Sequence, residues 1–517
     1  MRSRLLIVFL LLIALIISVL FLKKPLPERL SLFPVQNYDQ KISDWISPSS
    51  TDYDKPLLTP EQQTLLKDEL VSHYFSSDPT ALSPWNPGYI NQIIAKKAPD
   101  DLATVEQEQI IKYTNDKNKP DDEIGYAANF RPYTDQWTDH LTKNINLPQF
   151  QGQLHYDSTH RGIAIDNLSA RILPTDEVHF YSHKLAGQGY PFDNLQASSL
   201  WAGTPVYILG ETLDHAWYMV LTPDYYIAWV KSTGIARVDD HFVAEWQQKA
   251  KINLVAITQT EVPVMDTTDN IYRFSGYVGM IFPLENKDET GMQILIPVMD
   301  AKHQAEIRHA HLSSQDAALL PLSATIHHFA ERMGPLLGRP YGWGNIYFYN
   351  DCSAELKSLY TIFGIWLPRH SSEQVNPDRV YGRSVNLSKE DMAKRIDYLT
   401  KNNHQFMTIV YIGGHVFMYL GHYPNPTDSV HALVPLTYQN SWGFRPKNPT
   451  PETDRRVVIG ESVLLPLLKS YPEDASLASP AEKKHFDIMY LDDTQQDMVK
   501  FRALEFSKID LRILLSP

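Results

Sequence analysis

Cys352 is the only cysteine in 517 residues. No disulfide can close within the chain, and a metal centre built on several thiolates is excluded. Packing and hydrogen bonding must hold the fold. At roughly 150 residues per domain there is room for about three or four domains. Hydrophobic residues make up 43% and charged residues 21%, as in an ordinary globular protein. The net charge is −13 with no long basic block, which argues against a nucleic-acid partner, since phosphate contacts need clustered Lys and Arg. The 28 Tyr and 10 Trp fit β-rich cores first, and surfaces that stack on sugar or peptide second.

The N-terminus reads as a targeting segment. Arg2 and Arg4 precede an apolar run from residue 5 to 22, and Lys23 and Lys24 follow. As a helix the run rises about 27 Å, barely enough to cross a membrane core. No small-x-small cleavage site follows. Residues 1–24 are therefore expected to be an uncleaved signal anchor in the inner membrane, with a cleaved signal peptide as the alternative. Either places the remainder in the periplasm or cell envelope.

Three textures follow. Residues 25–155 form a helical region. It opens with a Pro- and Ser-rich linker with extended pieces and then turns helical at "TPEQQTLLKDELVSHYF", with Thr59 as N-cap and Pro60 at the first helical position. Residues 156–240 and 241–315 carry short apolar alternations such as "TPVYILGE", "YYIAWVK" and "MQILIPVM". These are punctuated by Gly, Pro, Asp and Thr, and spacing of that kind predicts two small all-β barrels. Residues 316–470 mix helix and strand: a helix at "ATIHHFAERMG", a Gly/Trp/Tyr-rich loop, a helix carrying Cys352, and two strands. That is an α+β pattern. Residues 471–517 read as a C-terminal extension with no functional signal.

The chemistry concentrates in "RPYGWGNIYFYNDCSAELKSLYTIFGIWLPRHSSEQ". After Cys352, apolar residues at Leu356, Leu359, Tyr360 and Phe363 keep helical spacing, and Gly364 supplies a stop. Cys352 thus falls at a helix N-terminus, where unpaired backbone N–H groups favour thiolate over thiol and can stabilise an oxyanion. Asp351 can cap that helix. The bland alternative is a buried cysteine acting as a small hydrophobe. A thiolate needs a base partner, and 19 His compete for the part. His415, in "TIVYIGGHVFMYLGHY", stands at a strand start behind two glycines that would clear space around its ring. The bland alternative there is a satisfied core histidine. An absent HExxH pattern disfavours a zinc peptidase. For the residue that orients the imidazole, Gln439 and His431 compete. An antiparallel pairing that sets His415 opposite Gln439 favours Gln439; a tighter hairpin favours His431.

The motifs "YGWGN", "DCS", "LPRHSSEQ" and "GGHVFMYLG", in this order, resemble the NlpC-type cysteine peptidases, bacterial cell-wall endopeptidases of the papain-like superfamily. Stretches between residues 160 and 240 resemble the bacterial SH3-like domains of multidomain members, and the region before about 150 resembles their N-terminal stabilising segment. The resemblance implies a papain-like catalytic domain behind two SH3-like barrels, with Cys352 as nucleophile and His415 as base. It implies a third polar residue that is His, Asn or Gln, and a "WG" following Gln439 favours that residue. Tyr341 would line the site, and Asp351 and Ser353 would shape a pocket for the substrate amine. The implied substrate is a peptidoglycan stem peptide cut between γ-D-Glu and meso-diaminopimelate, with no metal or organic cofactor needed. Two other readings of the same residues remain: a catalytically idle cell-wall-binding protein, and a papain-like acyltransferase or amidase.

Overall fold

The computed structural model describes residues 29–515 apart from 403, 428–431, 451–452 and 495–497. The expected anchor and His431 lie outside the described residues. Among the described residues, no helix is long and apolar enough to cross a membrane.

The helical region begins at α1 (Pro60–Phe75), with Thr59 and Gln62 each accepting the other's backbone N–H in a capping box and Pro60 in the first turn. α2 (Pro87–Ile94) and α3 (Leu102–Tyr113) start on the side-chain caps Asn86 and Asp101. α4 (Asp135–Ile145) stops where Asn146 turns left-handed. The segment before α1 departs from the expected linker. Its strand β1 (Leu30–Leu32) pairs in parallel with Arg456–Val458, and Phe33, Val35 and Tyr38 pack with Phe444 and Tyr471. Gln40 bonds both the N–H and the C=O of Leu464, at 2.9 Å each. Three residues of strand are too few to show a period in sequence.

The first β unit holds β2 (Arg161–Ala164), β3 (Leu168–Arg171), β4 (Gln196–Leu200), β5 (Pro205–Glu211), β6 (Trp217–Thr222), β7 (Tyr226–Lys231) and β8 (Ile235–Arg237). They form one antiparallel sheet in the order β4-β3-β7-β6-β5-β2-β8. The second unit opens with a helix that was not expected, α5 (Asp240–Ile252). Its buried Phe242, Val243, Trp246 and Ala250 keep helical spacing. Behind it, β9 (Leu254–Ile257), β12 (Ile281–Lys287), β13 (Met292–Met299), β14 (Ala305–Leu312) and β15 (Ala317–Leu320) make a five-stranded sheet. A separate hairpin joins β10 (Val262–Met265) to β11 (Tyr272–Gly276).

The third unit is the α+β layer. α6 (Ile326–Met333), α7 (Cys352–Ile362) and α8 (Met392–Lys401) accompany β16 (Arg383–Asn386), β17 (Thr408–Tyr411), β18 (Val416–Pro424), β19 (Leu433–Phe444), β20 (Arg456–Pro466) and β21 (Asp487–Tyr490). With β1 they form a seven-stranded sheet ordered β1-β20-β19-β18-β17-β21-β16. The tail after residue 470 is thus no appendage: β21 lies between β17 and β16 and is hydrogen-bonded to both. It ends in α9 (Met498–Ser507) and α10 (Leu511–Leu514). One apolar cluster runs from α1 through both β units into α7.

Candidate active site

Asp351 accepts the N–H of Ala354 at 2.9 Å, so the capped helix α7 begins on Cys352. Gly364, with φ 78°, takes the left-handed conformation just past the helix end. Cys352 is only 6% exposed, and its sulfur accepts the backbone N–H groups of Ser353 and Val416. Val416 is the neighbour of His415, so the sulfur sits against the strand start that carries the imidazole.

Gly413 and Gly414 deliver His415 with φ values of 86° and 81°. A Cβ on Gly414 would meet nothing within 4 Å. Both glycines take the left-handed backbone conformation that favours glycine, and a Cβ on Gly413 would meet His485 Cδ2 at 3.2 Å. His415 Nε2 lies 2.7 Å from Gln439 Oε1. The amide's orientation is set one step further out: Gln439 Nε2 donates to Thr437 Oγ1 at 3.0 Å, and Thr437 Oγ1 donates to Leu465 O at 2.7 Å. With the amide oxygen facing the ring, Nε2 must carry the proton and Nδ1 is left as the basic nitrogen.

The register differs from the expected one. β18 and β19 pair Met418 with Tyr438, which extends to Phe417 opposite Gln439, and a bulge follows between Tyr419 and Gly421. His415 therefore meets Gln439 diagonally. The shift of two residues keeps the same face, which is why the contact survives it.

Electrostatics also depart from expectation. Burial pushes the Cys352 thiol up to about 12, and the Asp351 carboxylate adds to the rise. Burial likewise holds the His415 imidazole below its ordinary value, against the opposing effect of the hydrogen bond it donates to Gln439. The helix N-terminus favours thiolate, but desolvation outweighs it, so both the Cys352 thiol and the His415 imidazole are pushed toward their neutral forms. Iodoacetamide labelling of Cys352 is accordingly expected to quicken by about tenfold per pH unit from pH 6 to about 9, without a plateau. A rate flat across that range would reveal a preformed thiolate and overturn the neutral pair.

Cys352, Tyr341, Asp351 and Ser353 line one cavity of about 180 Å³, together with Gln196 and Tyr226 of the first β unit. That unit is fastened to the Gly/Trp/Tyr-rich loop: Gln196 Nε2 donates to Gly344 O at 2.8 Å and Ser199 Oγ to Asn345 O at 3.1 Å. Sequence reasoning missed Arg369. Its Nε donates to Ser198 Oγ at 2.7 Å, its Nη1 to Ser353 Oγ at 2.7 Å and Asp351 Oδ1 at 3.3 Å, and its Nη2 to Asp351 Oδ2 at 2.6 Å, with Asn345 Oδ1 at 3.1 Å and Ala197 O at 3.2 Å sharing that nitrogen. All five N–H donors are spent, so Arg369 is a brace and not a substrate clamp. It also neutralises the carboxylate expected to attract a substrate amine. Arg369 stands in the quoted "LPRHSSEQ", but nothing in the sequence pairs it with Asp351. Glu355 was missed as well. One turn into α7 and buried, it accepts from Tyr438 and Ser462 at 2.5 Å each and from Asn350 at 2.7 Å, tying the helix to β19 and β20.

Among known proteins, the SH3 domain family of SH3b1 type matches residues 179–231. A comparison with curated proteins finds no match. Among solved structures, an NlpC/P60 endopeptidase from Photobacterium damselae subsp. piscicida superposes with a TM-score of 0.74 at 24% identity, over 90% of this chain and all of that one. An NlpC/P60 family protein from Bacillus cereus aligns over 62% of this chain and 98% of its own, at 13% identity and a TM-score of 0.40. Over 90% of its length the chain has the fold of the Photobacterium NlpC/P60 endopeptidase, with an SH3 domain of SH3b1 type forming one wall of the Cys352 cavity.

Proposed function

We propose that this protein is a peptidoglycan endopeptidase in which Cys352 is the nucleophile, His415 the base and Gln439 the residue that orients it. The observation that carries the reading is a helix-capping Cys352 bonded to the backbone of Val416, next to a His415 that Gln439 and Thr437 hold in place. The thiol is bonded to the backbone of the residue after His415, whose proton the Gln439 amide oxygen holds on Nε2. His415 Nδ1 takes the thiol proton as sulfur attacks the amide carbonyl, then protonates the leaving amine. Water hydrolyses the thioester. The α7 N-terminus stabilises the oxyanion. The bond cut is γ-D-glutamyl–meso-diaminopimelate in a stem peptide, with Tyr341, Asp351 and Ser353 at the substrate's amino end. The work is done on the outer side of the inner membrane, where residues 5–22 hold the chain.

Purified protein incubated with defined muropeptides tests this: cleavage supports it, binding without cleavage supports the idle wall-binding protein, and transfer products support an acyltransferase. The thiol's high pKa is what favours the idle reading. Gln439→Ala is expected to lower kcat by about 10- to 100-fold with the fold intact. An unchanged kcat, with His431→Ala losing it instead, would move the orienting role to His431. Because His415 must be neutral to act as base, kcat/KM is expected to fall as pH drops through a value below 6.5 and to hold at neutrality. An acid limb centred above 6.5 would contradict the buried, neutral imidazole.

A further inference from the structure

Outside the Cys352 cavity, α1 carries Glu69 and His73 one turn apart on its inner face, and α9 brings Glu505 against them. The three are 5%, 2% and 2% exposed. His73 Nε2 stands 3.3 Å from Glu69 Oε1 and 3.4 Å from Glu505 Oε1. Neither contact has the alignment of a good hydrogen bond, since His73 Nε2 and Glu505 Oε1 are both buried without a geometric partner, although the Glu69 carboxylate still favours the charged imidazole against burial. A nitrogen that close to two carboxylate oxygens, yet aimed at neither, points between them.

That is how ligands stand around a shared cation. Zinc binds His nitrogen at about 2.0–2.1 Å and carboxylate oxygen at about 2.0–2.2 Å, so the edge of its tetrahedron is about 3.3–3.5 Å. Both spacings fall on that edge, and all three ligand atoms lie within 4.8 Å of one another. Trp366 stacks on the His73 ring at 3.6 Å and 5°, fixing the direction of Nε2. Arg502 Nε holds the other oxygen of Glu69 at 2.6 Å. One imidazole with two carboxylates suits zinc, and water can take the fourth position.

We propose that Glu69, His73 and Glu505 form a structural zinc site that clamps the C-terminal helix α9 onto α1. It lies outside the cysteine chemistry, which needs no metal. The competing occupant is a proton. Arg502 bonds one carboxylate, and Arg379 donates to the backbone carbonyl of Glu505, so shared protonation would also neutralise the cluster.

The two are separated by loading the full chain with Zn²⁺, dialysing, and measuring zinc by mass spectrometry beside Glu505→Gln and His73→Gln. The wild type is expected to retain about one zinc per chain more than either variant, and zinc is expected to raise its melting temperature and not theirs. Reading the difference removes any zinc held loosely by the other histidines. Glu505→Gln keeps the side chain's shape, so it decides the matter if His73→Gln does not fold. Equal zinc in the wild type and Glu505→Gln, or a wild-type melt unmoved by zinc, overturns the site.

Discussion

Cys352→Ala is expected to remove muropeptide hydrolysis, with kcat lower by at least about 10⁴-fold, while the protein stays folded and still binds substrate. Cutting the nucleophile out of a Cys–His pair leaves His415 nothing to deprotonate, and losing one member of such a unit costs about as much as losing all of it. The fold should tolerate the change. The side chain is small, and alanine suits the first turn of α7. Asp351 still caps the helix at Ala354. Product formation by chromatography, with binding by calorimetry on the same preparation, reads both halves. Turnover near the wild-type rate would end the assignment of the nucleophile.

The second large effect is on stability. Arg369→Met is expected to destabilise the protein by about 3–5 kcal/mol, because it strands a buried carboxylate. Asp351 loses its 2.6 Å ion pair, and the Ser198, Ser353 and Asn345 groups lose the donors that join the first β unit to α7. Arg369→Lys should recover only part of this, since an ammonium restores charge but not the planar fork that reaches five acceptors. Thermal or denaturant melts of the two variants decide it. A wild-type midpoint for Arg369→Met would mean that the guanidinium braces nothing. The same substitution should reduce peptidase activity, because Asp351 and Ser353 flank the nucleophile.

The legible parts of the sequence were those governed by neighbours along the chain. The Thr59–Pro60 start of α1 and the Asp351–Cys352 start of α7 are local capping events, and both appear as expected. His415 and Gln439 meet because a strand's face alternates with period two, so even a register misplaced by two residues joined the right side chains. What stayed illegible depends on distant partners. β1 and β21 are three and four residues long and become strands only by docking on a sheet already there. α5 was hidden by the strand-like texture on both sides of it. Arg369 met Asp351 only through the folded cavity wall. The expectation of a thiolate failed for a related reason: the helix N-terminus is visible in sequence, but the desolvation opposing it comes from everything packed around Cys352.

Opposite ends of the polypeptide are woven into the sheet that supports the nucleophile: β1 begins at Leu30, and β21 ends at Tyr490. Pairing of that sequence separation is slow and waits for the last strand to arrive. A chain still emerging from the ribosome therefore lacks a finished scaffold for its sulfur. The setting around Cys352 is therefore completed only after residues 487–490 have been made and have paired with β17 and β16.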